Sequence, residues 1–245
     1  MTRLWRMPAL PYLWRLVAIA GLMAPLLRNA VVALASLALL ALAPLAGAAT
    51  PAGTVGPVRI APASALYRHR VEQAVARAWG VDGSSARLAA QLHQESGFKA
   101  DAKSGVGAQG IAQFMPATAK WIATVFPADL AGFDPWNAQQ AIMAAALYDR
   151  WLLDRVGSYS RRALTECSRW AFVFRAYNGG EGALNRERKL TQQAGANAND
   201  WLTVEQYRSR SAWAHKENIA YPRRILLVLE PAYVAAGWQG RAACA

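Results

Sequence analysis

Gln91-Leu-His-Gln-Glu-Ser-Gly-Phe98 and, shortly after it, Ser104-Gly-Val-Gly-Ala-Gln-Gly-Ile-Ala-Gln113 are the stretches on which the reading of this chain turns. Leu88, Leu92 and Glu95 are four and then three residues apart. A helix that starts at the Ser84-Ser85 cap and stops before Gly97 therefore carries Glu95 on its apolar stripe. Most glutamates are solvated surface charges, and the stripe position argues against that for Glu95. Partial burial and the negative end of the helix dipole both disfavour the ionised form, so a raised pKa is expected. A carboxyl still protonated near neutral pH is what general-acid catalysis at a glycosidic oxygen requires. In the second stretch Gly105, Gly107 and Gly110 lie among small residues. No βα unit frames them, so they are no nucleotide fingerprint. Glycine here lets backbone pass close to a ligand and to the Glu95 side chain.

Helical patterns extend outward on both sides. Ser64 is expected to cap a helix through Trp79, with Leu66, Val71, Val75 and Ala78 at helical spacing and Gly80 as the stop. Downstream, Pro116 suits the first turn of a helix reaching about Val125. A turn at Asp134-Pro135-Trp136 leads into a long helix from about Asn137 to Val156. The next spans roughly Arg161 to Asn178, where Leu164, Cys167, Ala171, Phe174 and Asn178 step by three and four before Gly179-Gly180. Polar Gln192 to Asp200 reads as a loop. The final helix holds Ile225, Leu226, Val228 and Leu229 and is entered through Glu217-Asn-Ile-Ala-Tyr-Pro222. Strand signals amount to at most a short hairpin in the glycine-rich run. The fold class is mainly α, one domain over about 64–240, without internal repeats.

The 245 residues suffice for one sizeable domain plus a leader, and a 54% hydrophobic content with ten Trp supports a packed core. Net charge is +12, of which residues 1–49 supply four Arg and no acid, leaving +8 for the rest. Such a surface favours polyanionic partners: nucleic acid, anionic lipid or an anionic cell wall. No zinc-finger spacing and no basic helix interleaved with aromatics is present, which ranks nucleic acid last. Ala30 to Ala49 is an uncharged run of twenty small and aliphatic residues preceded by every nearby positive charge. That pattern sends the downstream domain out of the cytoplasm. Ala46-Gly-Ala-Ala-Thr50 offers a signal-peptidase site, so 1–49 reads as a signal peptide, or else as an anchor with 30–49 in the membrane. Residues 50–63, rich in Pro and Gly, read as a linker. Cys167 and Cys244 permit one disulfide or two free thiols. His69, His93 and His215 are scattered and no ligand spacing occurs, so no metal and no cofactor are expected.

Most glycosidases pair a general acid with a second carboxylate. Asp101, Asp134 and Glu217 are candidates, but none shares an element with Glu95. Ser96 lies in no nucleophile elbow, and Cys167 falls on a core stripe.

Taken together, the residues resemble a known family, the soluble lytic transglycosylase domain of the lysozyme-like superfamily. Gln94-Glu-Ser96 is similar to its glutamate-serine motif, and Ser104 to Gln113, continued by Met115-Pro-Ala-Thr-Ala119, to its second motif. Asp134-Pro135 with Asn137 resembles the next landmark, Ala176-Tyr-Asn-Gly179 the third motif, and Glu217 with Tyr221 the fourth. The order is preserved over roughly residues 82 to 230. Two positions depart: Ile111-Ala112 stands where the family more often has Leu-Met, and Pro222 where it usually has an aliphatic residue. The resemblance implies a lysozyme-like fold and an exported enzyme of the periplasm or cell envelope acting on peptidoglycan. Glu95 would protonate the bond between N-acetylmuramic acid and N-acetylglucosamine, then act as base on the muramyl 6-hydroxyl to close a 1,6-anhydro ring. No second catalytic carboxylate is then required. Ser104 would orient the substrate N-acetyl group or the acid. Gln113, Tyr177 and Asn178 would line the sugar groove, with Tyr177 near enough to tune Glu95. Glu217 and Tyr221 would support the site from the last helix. A goose-type muramidase, or a wall-binding subunit of a secretion, pilus or phage-like assembly, is the alternative.

Overall fold

The computed structural model describes residues 58–244, so the leader and most of the expected linker lie outside the described residues. Helix α1, Ser64–Trp79, packs against α2, Ser85–Ser96, and against the long helix α5, Ala138–Arg155. Between α2 and α5 come α3, Pro116–Val125, and the single turn α4, Pro127–Leu130. Helix α6, Glu166–Gly179, lies against α5, α7 (Glu181–Gln193) and α9 (Ala212–Arg224). The short α8, Trp201–Val204, precedes α9, and α10, Glu230–Ala235, closes back on α2. Among the described residues no strand forms; the glycine-rich run makes two isolated bridges, Lys103 with Gln109 and Gln109 with Phe114.

Helix α2 is the axis of the core. Ser84 caps it by accepting from the Arg87 N–H at 3.2 Å. Every residue from Ser85 to Leu92 is buried, so the stripe expected at Leu88 and Leu92 is one side of a helix enclosed all round. Ala86, Ala89 and Ala90 let neighbouring helices close in on the other sides. Enclosure obliges its polar residues to find partners. Arg87 donates to Glu230 of α10 at 2.7 Å, and Gln91 donates to Asp149 of α5 at 3.2 Å. The core ends at Leu92, and the last turn opens toward solvent with Glu95 on it.

Several expected boundaries differ from those observed. Ala63, not Ser64, takes the cap position of α1, and it provides no side-chain cap. Leu66 is 79% exposed; Tyr67 points inward in its place and stacks on Phe98. Ala61, assigned to the linker, is buried against the core, and Ala243 and Cys244 beyond residue 240 pack there too. Helix α6 starts at Glu166, later than Arg161, because Thr165 caps it and Asn199 holds the preceding segment as a loop. The Asn199 side chain accepts from the Tyr159 N–H at 2.8 Å and donates to the Arg162 carbonyl at 2.7 Å. Helix α7 had no apolar stripe long enough to announce it: its buried face is Leu184, Glu187, Arg188 and Thr191.

The largest difference is at the last helix. Entry near Glu217 to Pro222 was expected, but α9 begins at Ala212 and runs through Pro222. Proline removes one amide donor and crowds the carbonyl four residues earlier. The helix widens to π geometry over Ile225–Leu229 directly afterwards, a usual accommodation of a disrupted ladder. Glu217 and Tyr221 thus share one rigid helix. Cys167 and Cys244 form a disulfide, Cα–Cα 4.7 Å, which fastens the C-terminal segment to α6.

Candidate active site

The C-terminus of α2 meets the glycine-rich loop through Ser96, whose hydroxyl donates to the Ile111 carbonyl at 2.8 Å and accepts from the Lys99 N–H at 3.1 Å. Gly97 takes the left-handed conformation that ends the helix, and Phe98 follows it there, buried. The loop is laced by its own backbone: Ser104 N–H to Ala108 at 3.0 Å, Gly110 N–H to Ala102 at 2.8 Å, Gln109 N–H to Phe114 at 2.9 Å. Gly110, at φ +72°, lies so close to Pro135 that a Cβ would collide with that carbonyl. The Asp134-Pro135 turn is therefore the wall that holds the loop against α2.

All seven residues singled out from the sequence, Glu95, Ser104, Gln113, Tyr177, Asn178, Glu217 and Tyr221, line one cleft of about 510 Å³. Four different segments contribute them. Glu95 lines the cleft, partly accessible to solvent but densely surrounded. Burial is the largest influence on its carboxyl and pushes its pKa up to about 8; the Tyr221 hydrogen bond opposes this, and the nearby charge of Glu217 adds to it. Tyr221 donates its hydroxyl directly to Glu95 Oε1. Burial, first of all, holds the Tyr221 hydroxyl well above the usual phenol range, so it stays a neutral donor. Tyr177 was expected to tune Glu95 by proximity. Its hydroxyl donates to the Ala112 carbonyl at 2.8 Å, bracing the loop, and burial first, then the nearby charge of Glu95, raise its own pKa. The direct partner of Glu95 is Tyr221.

The remaining side chains divide between loop and cleft. Ser104 Oγ accepts from the Ala108 N–H at 2.9 Å, as a turn residue does. Gln113, at φ +50°, spends its amide nitrogen on the Ala102 and Gly110 carbonyls at 3.1 and 2.8 Å. Its amide oxygen has no partner among the described residues. Asn178 Oδ1 accepts from Asn218 at 3.0 Å, which leaves its NH2 group for a ligand. Asp101 and Asp134, considered as second carboxylates, do not line the cleft; Glu217 does, from an exposed position.

Asp149, Tyr148 and Arg224 were not picked out from the sequence. Tyr148 lines the cleft from α5 and packs against Tyr177, ring centroids 5.2 Å apart. Asp149 is 2% exposed, and burial above all holds its carboxyl well above the usual range, with the charge of Glu95 acting in the same direction. A buried acid beside Tyr148 on an otherwise apolar face was the available signal. Arg224 lies one turn past Tyr221 on α9.

Behind the cleft a charged cluster fixes the helices that carry these groups. Glu187 of α7, fully buried, accepts from Arg175 of α6 at 2.6 Å and from Arg210 at 3.0 Å, with His215 of α9 at 3.3 Å. Arg175 donates to Asn218 Oδ1 at 3.0 Å, and Asn218 donates to the Arg175 carbonyl at 2.8 Å as well as to Asn178. Asn178 and Tyr221 are thus positioned by one network.

The helical architecture and the cleft that carries Glu95 define a lysozyme-like class. The fold is similar to lytic transglycosylase Slt of Pseudomonas aeruginosa, solved as an inactive mutant, with a TM-score of 0.56 at 20% identity, covering 75% of this chain and 26% of that one. It is also similar to the 70 kDa soluble lytic transglycosylase of Escherichia coli, TM-score 0.51 at 20% identity, covering 70% and 25%. Within that class the sequence matches the Transglycosylase SLT domain over residues 73–199, just over half of its length, and the chain belongs to that family. Among curated proteins it is 32% identical over 118 residues to membrane-bound lytic murein transglycosylase F of Haemophilus influenzae, and 29% identical over 139 residues to that of Pseudomonas fluorescens. These matches cover 48% and 56% of this chain, and it spans about a quarter of those relatives' length or less, 22% and 26%.

Proposed function

We propose that this chain cleaves the bond between N-acetylmuramic acid and N-acetylglucosamine in peptidoglycan without water, leaving 1,6-anhydro-muramyl ends. The observation that carries this reading is Glu95, a carboxyl with its pKa raised to about 8, in the wall of a cleft of about 510 Å³. Protonated near neutral pH, it donates to the glycosidic oxygen as the bond breaks. The resulting carboxylate, held by the Tyr221 hydroxyl, takes the proton from the muramyl 6-hydroxyl as that oxygen attacks the anomeric carbon. The proton count closes: one given, one taken back, no water consumed. Asp149, whose carboxylate oxygen accepts from Gln91, does not line the cleft, so it is no second nucleophile.

Family membership, the murein-directed names of the relatives and the basic charge of the chain all support a wall substrate. The Cys167–Cys244 disulfide supports an oxidising compartment, in keeping with export to the periplasm or cell envelope. Among the described residues no helix is long and apolar enough to cross a membrane. We assign residues 1–49 the role of signal peptide or anchor, 50–63 that of a linker and 64–240 that of a single catalytic domain.

The presence of Glu217 in the same cleft favours one second reading, hydrolysis with Glu217 activating water in the manner of a muramidase. Mass spectrometry of muropeptides released by the purified protein separates the two. Anhydro ends that persist in Glu217→Gln are expected; reducing ends that vanish with Glu217→Gln would establish hydrolysis instead. A wall-binding assembly subunit of a secretion, pilus or phage-like machine would release neither product.

The Tyr221 contact gives a further expected outcome. Its hydrogen bond stabilises the Glu95 carboxylate and so lowers the pKa from where burial alone would put it. In Tyr221→Phe the alkaline limb of the pH–rate profile should move upward, by about one unit for a hydrogen bond to a charged group. A downward shift would show that Tyr221 does not act on the carboxylate.

A further inference from the structure

Helix α9 turns Glu217, Ala220, Tyr221 and Arg224 into the cleft, the i, i+3, i+4, i+7 spacing of one helical face. Tyr221 serves Glu95, and Ala220 gives a smooth wall between the two charged ends. Seven residues of helix separate Glu217 from Arg224, roughly 10 Å along the wall. Arg224 is the only cation among the described residues that line the cleft. Other arginines, among them Arg223 next to it in the chain, are paired. Arg223 holds Glu205 at 2.6 Å, Arg210 holds Glu187 at 3.0 Å, and Arg155 holds Glu181 at 2.9 Å. Arg224 forms no ion pair or side-chain hydrogen bond among the described residues and is exposed.

We propose that Arg224 is a specificity-determining residue that receives a substrate carboxylate, the one borne by the muramyl 3-O-lactyl ether or by the peptide attached to it. This inference rests on the peptidoglycan reading above. A carboxylate entering this cleft meets the negative field of Glu217 and would also push the Glu95 pKa higher. A guanidinium one turn from Tyr221 offsets both effects and grips the group through two parallel N–H bonds. A glycan built only of N-acetylglucosamine carries no such group, so Arg224 lets the cleft prefer muramyl-containing strands over neutral polymers of the same backbone.

The test uses the full chain carrying Glu95→Gln, so that ligand is not consumed, with and without Arg224→Ala and Arg224→Lys. Calorimetric affinities are measured for three soluble strands: peptide-free strands with the lactyl carboxylate free, the same strands with it capped as a methylamide, and peptide-bearing strands. The preference for carboxylate-bearing over capped strands should fall ~tenfold in Arg224→Ala, with Arg224→Lys intermediate, as expected for losing one charge-assisted contact. Loss on peptide-free strands identifies the lactyl carboxylate as the partner; loss confined to peptide-bearing strands identifies the peptide carboxylate. A preference unchanged by Arg224→Ala, or affinity lost equally for capped and uncapped strands, overturns the proposal. If the parent chain yields no anhydro ends while charge-dependent binding depends on Arg224, the lyase reading fails and this assignment stands.

Discussion

Glu95→Gln should abolish release of muropeptides, by about 10³-fold, while making the folded protein more stable. The amide keeps the shape of the acid and can still accept from Tyr221, so neither loss of the fold nor collapse of the cleft accounts for the lost rate. What disappears is the proton. The stability gain comes from the same raised pKa. In the unfolded chain the Glu95 carboxyl titrates in the ordinary range, and in the folded protein at about 8. Between those values the native state holds a proton that the unfolded state has released, so stability falls as pH rises through the window. The full cost is reached above about pH 8. A complete shift would be worth about 1.4 kcal/mol per unit, but Glu95 is partly open to solvent, which screens it. We therefore expect Glu95→Gln to gain about 1–2 kcal/mol at pH 8 and close to nothing at pH 5, read from urea unfolding at the two pH values. An equal gain at both would mean that the acid is not destabilised by its site, and the case for a proton held at neutral pH would fall with it.

Much of this site was legible in the sequence because its residues obey short-range rules. The spacing of Leu88, Leu92 and Glu95 fixes which way the acid points, Gly97 fixes where its helix ends, Pro116 opens α3 as expected, and Asn137 marks the start of the long helix to within one residue, as its cap. What escaped depends on contacts between segments far apart in the chain. Nothing near Tyr221 indicates that its hydroxyl reaches Glu95, 126 residues away, while Tyr177 turns to the loop. Pro222 was misleading for a different reason. A proline is locally a helix breaker, and here the packing of Tyr221, Ile225 and Leu226 into the core outweighs its cost, with π geometry absorbing the misfit. Helix α7 was hidden because its buried face is charged, and a pattern of apolar periodicity is blind to Glu187 and Arg188.

That charged face carries the second large expectation: Glu187→Ala should destabilise the protein by about 3–5 kcal/mol. Arg175 and Glu187 are both fully buried, and neither has water to fall back on. Removing the carboxylate strands the Arg175 guanidinium beside Arg210, two like charges without a counter-ion, in a site where Arg175 Nη1 already lacks a hydrogen-bond partner. The cost is therefore mostly the penalty of an uncompensated buried cation, and only partly the loss of the pair itself. This makes a specific claim about the double variant. Arg175→Met with Glu187→Ala removes both charges, and it should recover much of the loss, which urea unfolding of the two single variants and the double would reveal as a loss in the double smaller than the sum of the two single losses. Strict additivity would show that the two residues do not form one electrostatic unit. Activity should not recover in step with stability. Arg175 also anchors Asn218, which holds Asn178 at the cleft and shares α9 with Tyr221. A double variant that folds but positions Asn178 poorly should show a raised KM with the pH profile of Glu95 unchanged, because the charge cluster sets where the cleft residues stand and the burial of Glu95 sets its proton.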